Sequence, residues 1–278
     1  MKTDSSALKG SLNELLGDFR SETVYVFDET DSTNNVCKRM AAGGAPEGTA
    51  VLSLKQTAGR GRLGRSFLSP EGEGIYLSFL FRPSCSPEKA AELTSWVAVA
   101  ACRALAKACG ISPQIKWVND LLLNRMKVGG ILCEMSVGGS GKGTFVVAGV
   151  GINVLQKSFS AGLEKKASSL LIETGKIFPF DRIVSELIGE LDALAAAFPG
   201  GKEDYLAEYR ALCSTVGSTV VYERPRTDED PPGEETVKCT AFAEGIDDDF
   251  ALLVRNENGQ QIRIRTGEVS VRGLYGYV

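Results

Sequence analysis

The sequence predicts an α+β fold: a mixed, mostly antiparallel sheet with helices on one side, followed by a small C-terminal β-barrel. Three observations predict it. Two long stretches carry apolar residues at spacings of three and four, the signature of a helix with one buried face. Between them, short β-rich runs follow one another through turns, as in a meander. After residue 214 the texture changes to short strands separated by turn residues. There Asn258-Gly259 is a strong hairpin signal, and about sixty residues of such strands suggest a small barrel.

Residues 1–22 read as a short helical or mobile leader. "TVYVF" (23–27) has the composition of a buried strand. In "DSTNNVCKRMAAGG", Asp31, Ser32 and Thr33 are candidate helix caps and Gly43 a candidate stop. "TAVLSLK" (49–55) and "GIYLSFLFRP" (74–83) read as strands on either side of a glycine-rich loop. The first long helix has Pro87 in its first turn and Gly110 at its end. Its stripe includes Leu93, Trp96, Val97, Ala100, Ala104 and Leu105. "QIKWV", "LLLN", "KVGGILCEMSV" and "GTFVVAGVGINV" read as further strands. The second long helix spans about 181–199, with Ile183, Leu187, Leu191 and Leu194 on its buried face. A third, "KEDYLAEYRALC", follows Pro199-Gly200-Gly201. The resulting division is a leader (1–22), a large domain (23–214) and a barrel (215–278). The acidic, proline-rich segment 227–235 interrupts the barrel and reads as an exposed loop.

Composition narrows the chemistry. The chain has 278 residues, 43% of them hydrophobic, enough for one large core with a smaller one beside it. A net charge of −4 argues against a general nucleic-acid binder. No apolar run approaches the ~20 residues of a membrane span, and the N-terminus lacks a signal peptide's apolar core. A cytoplasmic protein is expected. Seven scattered cysteines with no C-x-x-C pair fit reduced thiols in a core. Histidine is absent, which excludes Ser-His-Asp and Cys-His nucleophiles and histidine metal ligands. Catalysis must rest on Lys, Arg, carboxylates, hydroxyls and backbone amides.

The stretch "LKQTAGRGRLGRSFLSP" (54–70) contains Gly59, Gly61 and Gly64 in G-x-G-x-x-G spacing. A dinucleotide fingerprint must follow a strand and open a helix. Here the loop runs through Pro70 and two more glycines into a strand, so that reading fails. A Walker A motif is absent, as are the companion motifs of a kinase. Glycines expose amide N–H groups, and arginine forks bind phosphate oxygens. With Arg60, Arg62 and Arg65 interleaved, the loop reads as one that closes over a phosphate.

Three further clusters stand out. In "IKWVNDLLLNRMKVGG", Asn119-Asp120 lies at a turn, Lys127 starts a strand, and Gly129-Gly130 lets another backbone approach. Asn-Asp is either an ordinary turn or a pair that orients a cation or metal. Asn153 in "GVGINV" is either a turn residue or a polar contact to a ligand. "DSTNN" is either a helix cap or a hydrogen-bonding cluster.

In this order and spacing, "DSTNN", "KQTAGRGRLGRSFLSPEGEGIYLSFLFRP", "IKWVNDLLL" with "KVGGILCE", and "GVGINV" resemble the biotin protein ligases. The resemblance covers about residues 22–278, because the closing strands look like that family's SH3-like barrel. It implies a catalytic domain like that of class II aminoacyl-tRNA synthetases. It also implies an enzyme that joins biotin to ATP as biotinyl-5′-AMP and passes biotin to a lysine of a biotin carboxyl carrier protein.

Residue by residue, Ser32, Thr33, Asn34 and Gln56 resemble the biotin-binding set, with the backbone from Gly59 through Arg60 and Gly61 to Arg62. Arg62 and Lys127 resemble the residues that meet the α-phosphate and the biotin carboxylate, supported by Arg60 and Arg65. Phe67 would flank adenine, where many relatives have Trp. Asn119 and Asp120 would lie near the phosphates and Mg²⁺, with no tight metal site of the protein's own. Gly130 and Asn153 would adjoin the adenylate.

Two departures are visible. Val118 replaces the proline of K-W-P-N-D, so the turn before Asn119 loses one φ restraint. Residues 1–22 are too short for the DNA-binding domain of some relatives, so no DNA partner is expected. No membrane partner is expected either, and a homodimer is left open. Two other readings compete: a relative acting on lipoate or octanoate, and a non-catalytic binding protein whose barrel docks partners.

Overall fold

The computed structural model describes residues 4–136, 144–225, 235–265 and 269–271. Two helices, α1 (Ser5–Leu16) and α2 (Asp18–Ser21), open the chain. There follow β1 (Val24–Thr30), α3 (Thr33–Ala42), β2 (Ala50–Gln56) and β3 (Gly74–Phe81). Helices α4 (Pro87–Ala90) and α5 (Leu93–Cys109) lead to β4 (Gln114–Lys116), β5 (Asp120–Leu123), β6 (Met126–Ser136) and β7 (Phe145–Asn153). Three helices follow: α6 (Leu170–Thr174), α7 (Phe180–Ala197) and α8 (Lys202–Leu212).

Strands β1 to β7 form one sheet in the order β1-β2-β3-β7-β6-β5-β4. Only β1 and β2 pair in parallel, because α3 carries the chain back between them. The other neighbours are antiparallel, joined by loops and hairpins. Every residue of β3 is buried, as suits a central strand covered on both faces.

The long helices α1, α5 and α7 cover one face of the sheet. Trp96 of α5 stacks on Tyr205 of α8, with ring centroids 4.2 Å apart. Helix α3 alone takes the other face, where Cys37 and Ala41 meet Val51, Leu80 and Val147. The rest of that face is left open for the site. The single helix expected from Pro87 to Gly110 is two: α4, with Pro87 in its first turn, and α5. The break is slight, since Ala91 and Glu92 keep right-handed helical backbone. Gly110 caps α5 in the left-handed region at φ 65°, where glycine meets no steric penalty.

The 1–22 stretch is helical where described and belongs to the core. Leu8 and Leu12 of α1 are buried in the main hydrophobic cluster. Arg20 is paired with Asp192 of α7 at 2.7 Å. The seven cysteines are all free, and burial pushes the Cys37 thiol up to about 12.

The C-terminal strands are β8 (Thr219–Pro225), β9 (Thr236–Ile246), β10 (Leu252–Asn256), β11 (Gln261–Ile264) and β12 (Val269–Val271). They form a five-stranded antiparallel sheet in the order β11-β10-β9-β8-β12. Asn258-Gly259 turns β10 into β11, with Gly259 at φ 78°. The acidic segment, apart from Glu235, and the chain after Val271 lie outside the described residues. Among the described residues, no helix is long and apolar enough to cross a membrane.

Candidate functional site

A cavity of about 440 Å³ opens on the sheet face that α3 leaves uncovered. Its walls come from the start of α3, the loop after β2, the β4–β5 turn, and the middles of β6 and β7. Glycine keeps the floor open. A Cβ on Gly149 would lie 2.3 Å from Asn34 Oδ1, and one on Gly151 2.7 Å from the Phe67 ring. Both alternatives are too close for real carbon atoms, so these two strand positions must lack a side chain.

One end of the cavity is a network of neutral polar groups. Ser32 stands at the N-cap of α3 but makes no side-chain cap bond. The backbone N–H and the hydroxyl of Thr33 both donate to Gln56 Oε1, at 2.9 and 3.1 Å. Gln56 Nε2 donates to Ser69 Oγ at 2.8 Å. Ser78 Oγ lies 2.8 Å from Thr33 Oγ1 and 2.5 Å from Asn34 Oδ1. Asn34 Nδ2 donates to Leu132 O and to Glu134 Oε2. "DSTNN" is therefore a hydrogen-bonding cluster fused to a helix start. Asp31 lies beside it, and the hydrogen bond from Asn35 holds its carboxyl below the usual range.

Cations gather at the other end. Arg62 Nη1 donates to Asn119 Oδ1 at 3.1 Å, and Asn119 Nδ2 donates to Ile131 O at 2.8 Å. Lys127 Nζ pairs with Asp120 Oδ1 at 2.6 Å. Asn153 Nδ2 donates to Ser168 O at 2.9 Å, which ties the end of β7 to the segment before α6. Arg65, Lys116 and Lys166 also reach the wall.

The Trp117–Val118 peptide is cis, and three hydrogen bonds hold the turn from behind. Tyr209 donates to Val118 O at 3.1 Å, the Trp117 N–H to Thr215 Oγ1 at 2.9 Å, and Trp117 Nε1 to Phe250 O at 2.9 Å.

The glycine loop lies between strands, as its sequence context requires, with one 3-10 turn at Arg62–Gly64 and no helix beyond it. Gly61 N–H donates to Arg65 O, and Phe67 N–H to Gly59 O. Leu63 and Gly64 take successive left-handed conformations, at φ 55° and 73°. Arg60 reaches away from the loop to Glu134 Oε1 at 3.0 Å and to Asn35 Oδ1 at 3.1 Å.

Of the residues singled out in the sequence, Ser32, Thr33, Asn34, Gln56, Arg60, Gly61, Arg62, Arg65, Phe67, Asn119, Asp120, Lys127, Gly130 and Asn153 all line this one cavity. Gly59 is not among the lining residues. It is packed behind the wall, where a Cβ would come within 2.3 Å of Phe67 O and 2.6 Å of Ser69 Oγ. Sequence reasoning missed Gly149, Gly151, Lys116, Trp117 and Glu134. The alternation of glycine in "GVGINV" was the available signal for the first two.

Asp120 is the one acid on the wall among the described residues. No group of three or more His, Cys, Asp or Glu is placed to hold a metal among them. That donor set suits a divalent ion arriving with nucleotide phosphates, since Mg²⁺ needs few protein ligands in such sites.

Residues 26–153 match the model of the biotin/lipoate A/B protein ligase family. The chain is 35% identical over 246 residues to a biotin–[acetyl-CoA-carboxylase] ligase of Paracoccus denitrificans, covering 84% of this chain and 94% of that protein. It is 42% identical over 244 residues to the bifunctional ligase/repressor BirA of Bacillus spizizenii, covering 84% of this chain and 69% of that one. The solved biotin protein ligase of Aquifex aeolicus, in complex with biotin and ATP, superposes with a TM-score of 0.72 at 27% identity, over 90% of this chain and 98% of that one. On its sequence and its fold, the chain belongs to the biotin/lipoate A/B protein ligase family, on the biotin protein ligase branch.

Proposed function

We propose that the protein is an ATP-dependent biotin protein ligase, which makes biotinyl-5′-AMP and transfers biotin to a lysine of a biotin carboxyl carrier protein. One observation carries the reading. A single cavity joins a neutral amide-and-hydroxyl end, built on Thr33, Asn34 and Gln56, to a cationic end built on Arg62 and Lys127. A cyclic urea with a carboxylate tail has the same division, and the reaction joins that tail to a phosphate.

In the first step a carboxylate oxygen of biotin attacks the α-phosphorus of ATP. The bond to the β-phosphate breaks, and pyrophosphate leaves with the electron pair. In the second, the carrier's lysine amine attacks the acyl carbon. AMP leaves and the amide loses its extra proton. The obstacle in the first step is bringing two anions together, and fixed cations lower it. Arg62, held by Asn119, and Lys127, held by Asp120, meet the carboxylate and α-phosphate. Arg60 and Arg65 add charge from the loop. Phe67, above Gly151, flanks the adenine. Gly130 and Asn153 border the adenylate. Ser32, Thr33, Asn34 and Gln56 satisfy the ureido ring. Mg²⁺ arriving with the nucleotide would neutralise phosphate charge beside Asp120.

The test is biotin-dependent ATP–pyrophosphate exchange, followed by labelling of a carrier domain. Exchange should require biotin. A folded protein with no biotin-dependent exchange would sink the reading, and tighter calorimetric binding of lipoate or octanoate would move it to that relative's chemistry.

A further inference from the structure

We infer that Glu134, on β6, is a positioning residue that sets which end of the Asn34 amide faces the ligand cavity and anchors the first arginine of the glycine loop. The inference rests on the biotin-ligase reading above. Glu134 is not on the cavity wall, yet its two oxygens hold three groups around it. Oε2 accepts from Asn34 Nδ2 at 2.8 Å. Oε1 is paired with Lys38 Nζ at 2.6 Å and with Arg60 Nη2 at 3.0 Å.

The chemistry of these partners fixes the amide. A carboxylate and a main-chain carbonyl can only accept. Asn34 faces one of each, Glu134 and Leu132 O, so its NH₂ must point at them. Its carbonyl oxygen must then take the other end, against Ser78 and beside Gly149 on the cavity wall. Asn34 is only 4% exposed, so water cannot substitute for either partner. An acceptor is thereby presented where a cyclic urea brings N–H donors. A dithiolane or an alkyl chain brings none. Burial alone would raise the carboxyl of Glu134, but Lys38, Asn34 and Arg60 outweigh it and hold it low, so the acceptor-only form persists. Through Arg60 the same carboxylate fastens the loop to α3, where Arg60 also reaches Asn35. Recognition of the ring and placement of the loop therefore share one group.

The test uses the full chain, with Glu134→Ala and Glu134→Gln measured beside the parent in biotin-dependent ATP–pyrophosphate exchange. Removing the acceptor from a buried amide should raise the biotin KM of E134A by about tenfold or more, and the release of Arg60 should raise the ATP KM by clearly less than that. E134Q, whose amide oxygen can still accept from Asn34, should stay within about threefold of the parent for biotin. It loses the charge that anchors Arg60, so trypsin should cut its ligand-free 60–65 loop faster than the parent's. Melting temperatures report whether each variant folds, and E134Q alone suffices if E134A does not. An unchanged biotin KM in E134A, a matched rise in both KM values, or an E134Q as impaired as E134A would overturn the assignment. Equal tryptic cutting would overturn the role in the loop. No exchange by the parent itself would instead overturn the biotin reading, a separate outcome.

Discussion

Lys127 shows what a single residue contributes. Its backbone is pinned on both sides, with its N–H donating to Lys166 O and its carbonyl accepting from Ser168 N–H. Its ammonium is paired with Asp120 at the cavity wall. A cation so fixed pays little reorganisation when charge builds at phosphorus. Lys127→Ala should lower kcat of biotin-dependent exchange by about 100-fold or more. The melting temperature should hardly move, since a partly exposed ion pair is worth only about 0–1 kcal/mol. Unchanged turnover would refute the role. Lys127, Arg62 and Asn153 could be singled out in the sequence because each stands within two residues of a glycine, Gly129, Gly61 and Gly151. Glu134 and Gly149 were not. Their effect depends on Asn34, which is 100 residues away in the case of Glu134, and a linear reading carries no such pairing.

At the scale of the element, the glycine loop is the instructive case. Its strand–loop–strand setting excluded a dinucleotide site, and the structure has that setting. The reason for each glycine was less legible, because it is set by what folds back against the loop. Gly64 is needed for its positive φ, and Gly59 because Phe67 O and Ser69 Oγ crowd it. Gly59→Ala would push the returning strand of the loop outward and disturb Gln56, whose Nε2 lies 3.1 Å from the added carbon. Both arms of the cavity would be affected. Biotin and ATP KM should therefore rise together, by about tenfold each, while thermal stability stays close to the parent's because the loop lies outside the main core. A rise in one KM alone would show that the loop's two halves act independently.

At the scale of the whole molecule, the small β-sheet is attached to the site. A change of texture near residue 214 marks a boundary along the chain, but texture says nothing about what crosses it. Trp117, beside the turn that carries Asn119, donates across it to Phe250 O and to Thr215 Oγ1. Tyr209, at the end of α8, packs edge-on against Phe250 with centroids 5.4 Å apart and donates to Val118 O. Asn119, the partner of Arg62, follows directly in the chain. The C-terminal sheet and α8 thus form the back wall of the turn that the missing proline would otherwise stiffen. Tyr209→Phe keeps the ring contact and removes a buried hydroxyl that also bonds Ser95, leaving Val118 O without that donor. A cost of about 1–3 kcal/mol should lower the melting temperature by several degrees. If the bond also positions Asn119, kcat for exchange should fall about three- to tenfold at a temperature well below melting, with the biotin KM unchanged because the ureido end lies on other elements. A loss of stability with full turnover would reduce the contact to structural support, and would separate the small sheet from the chemistry.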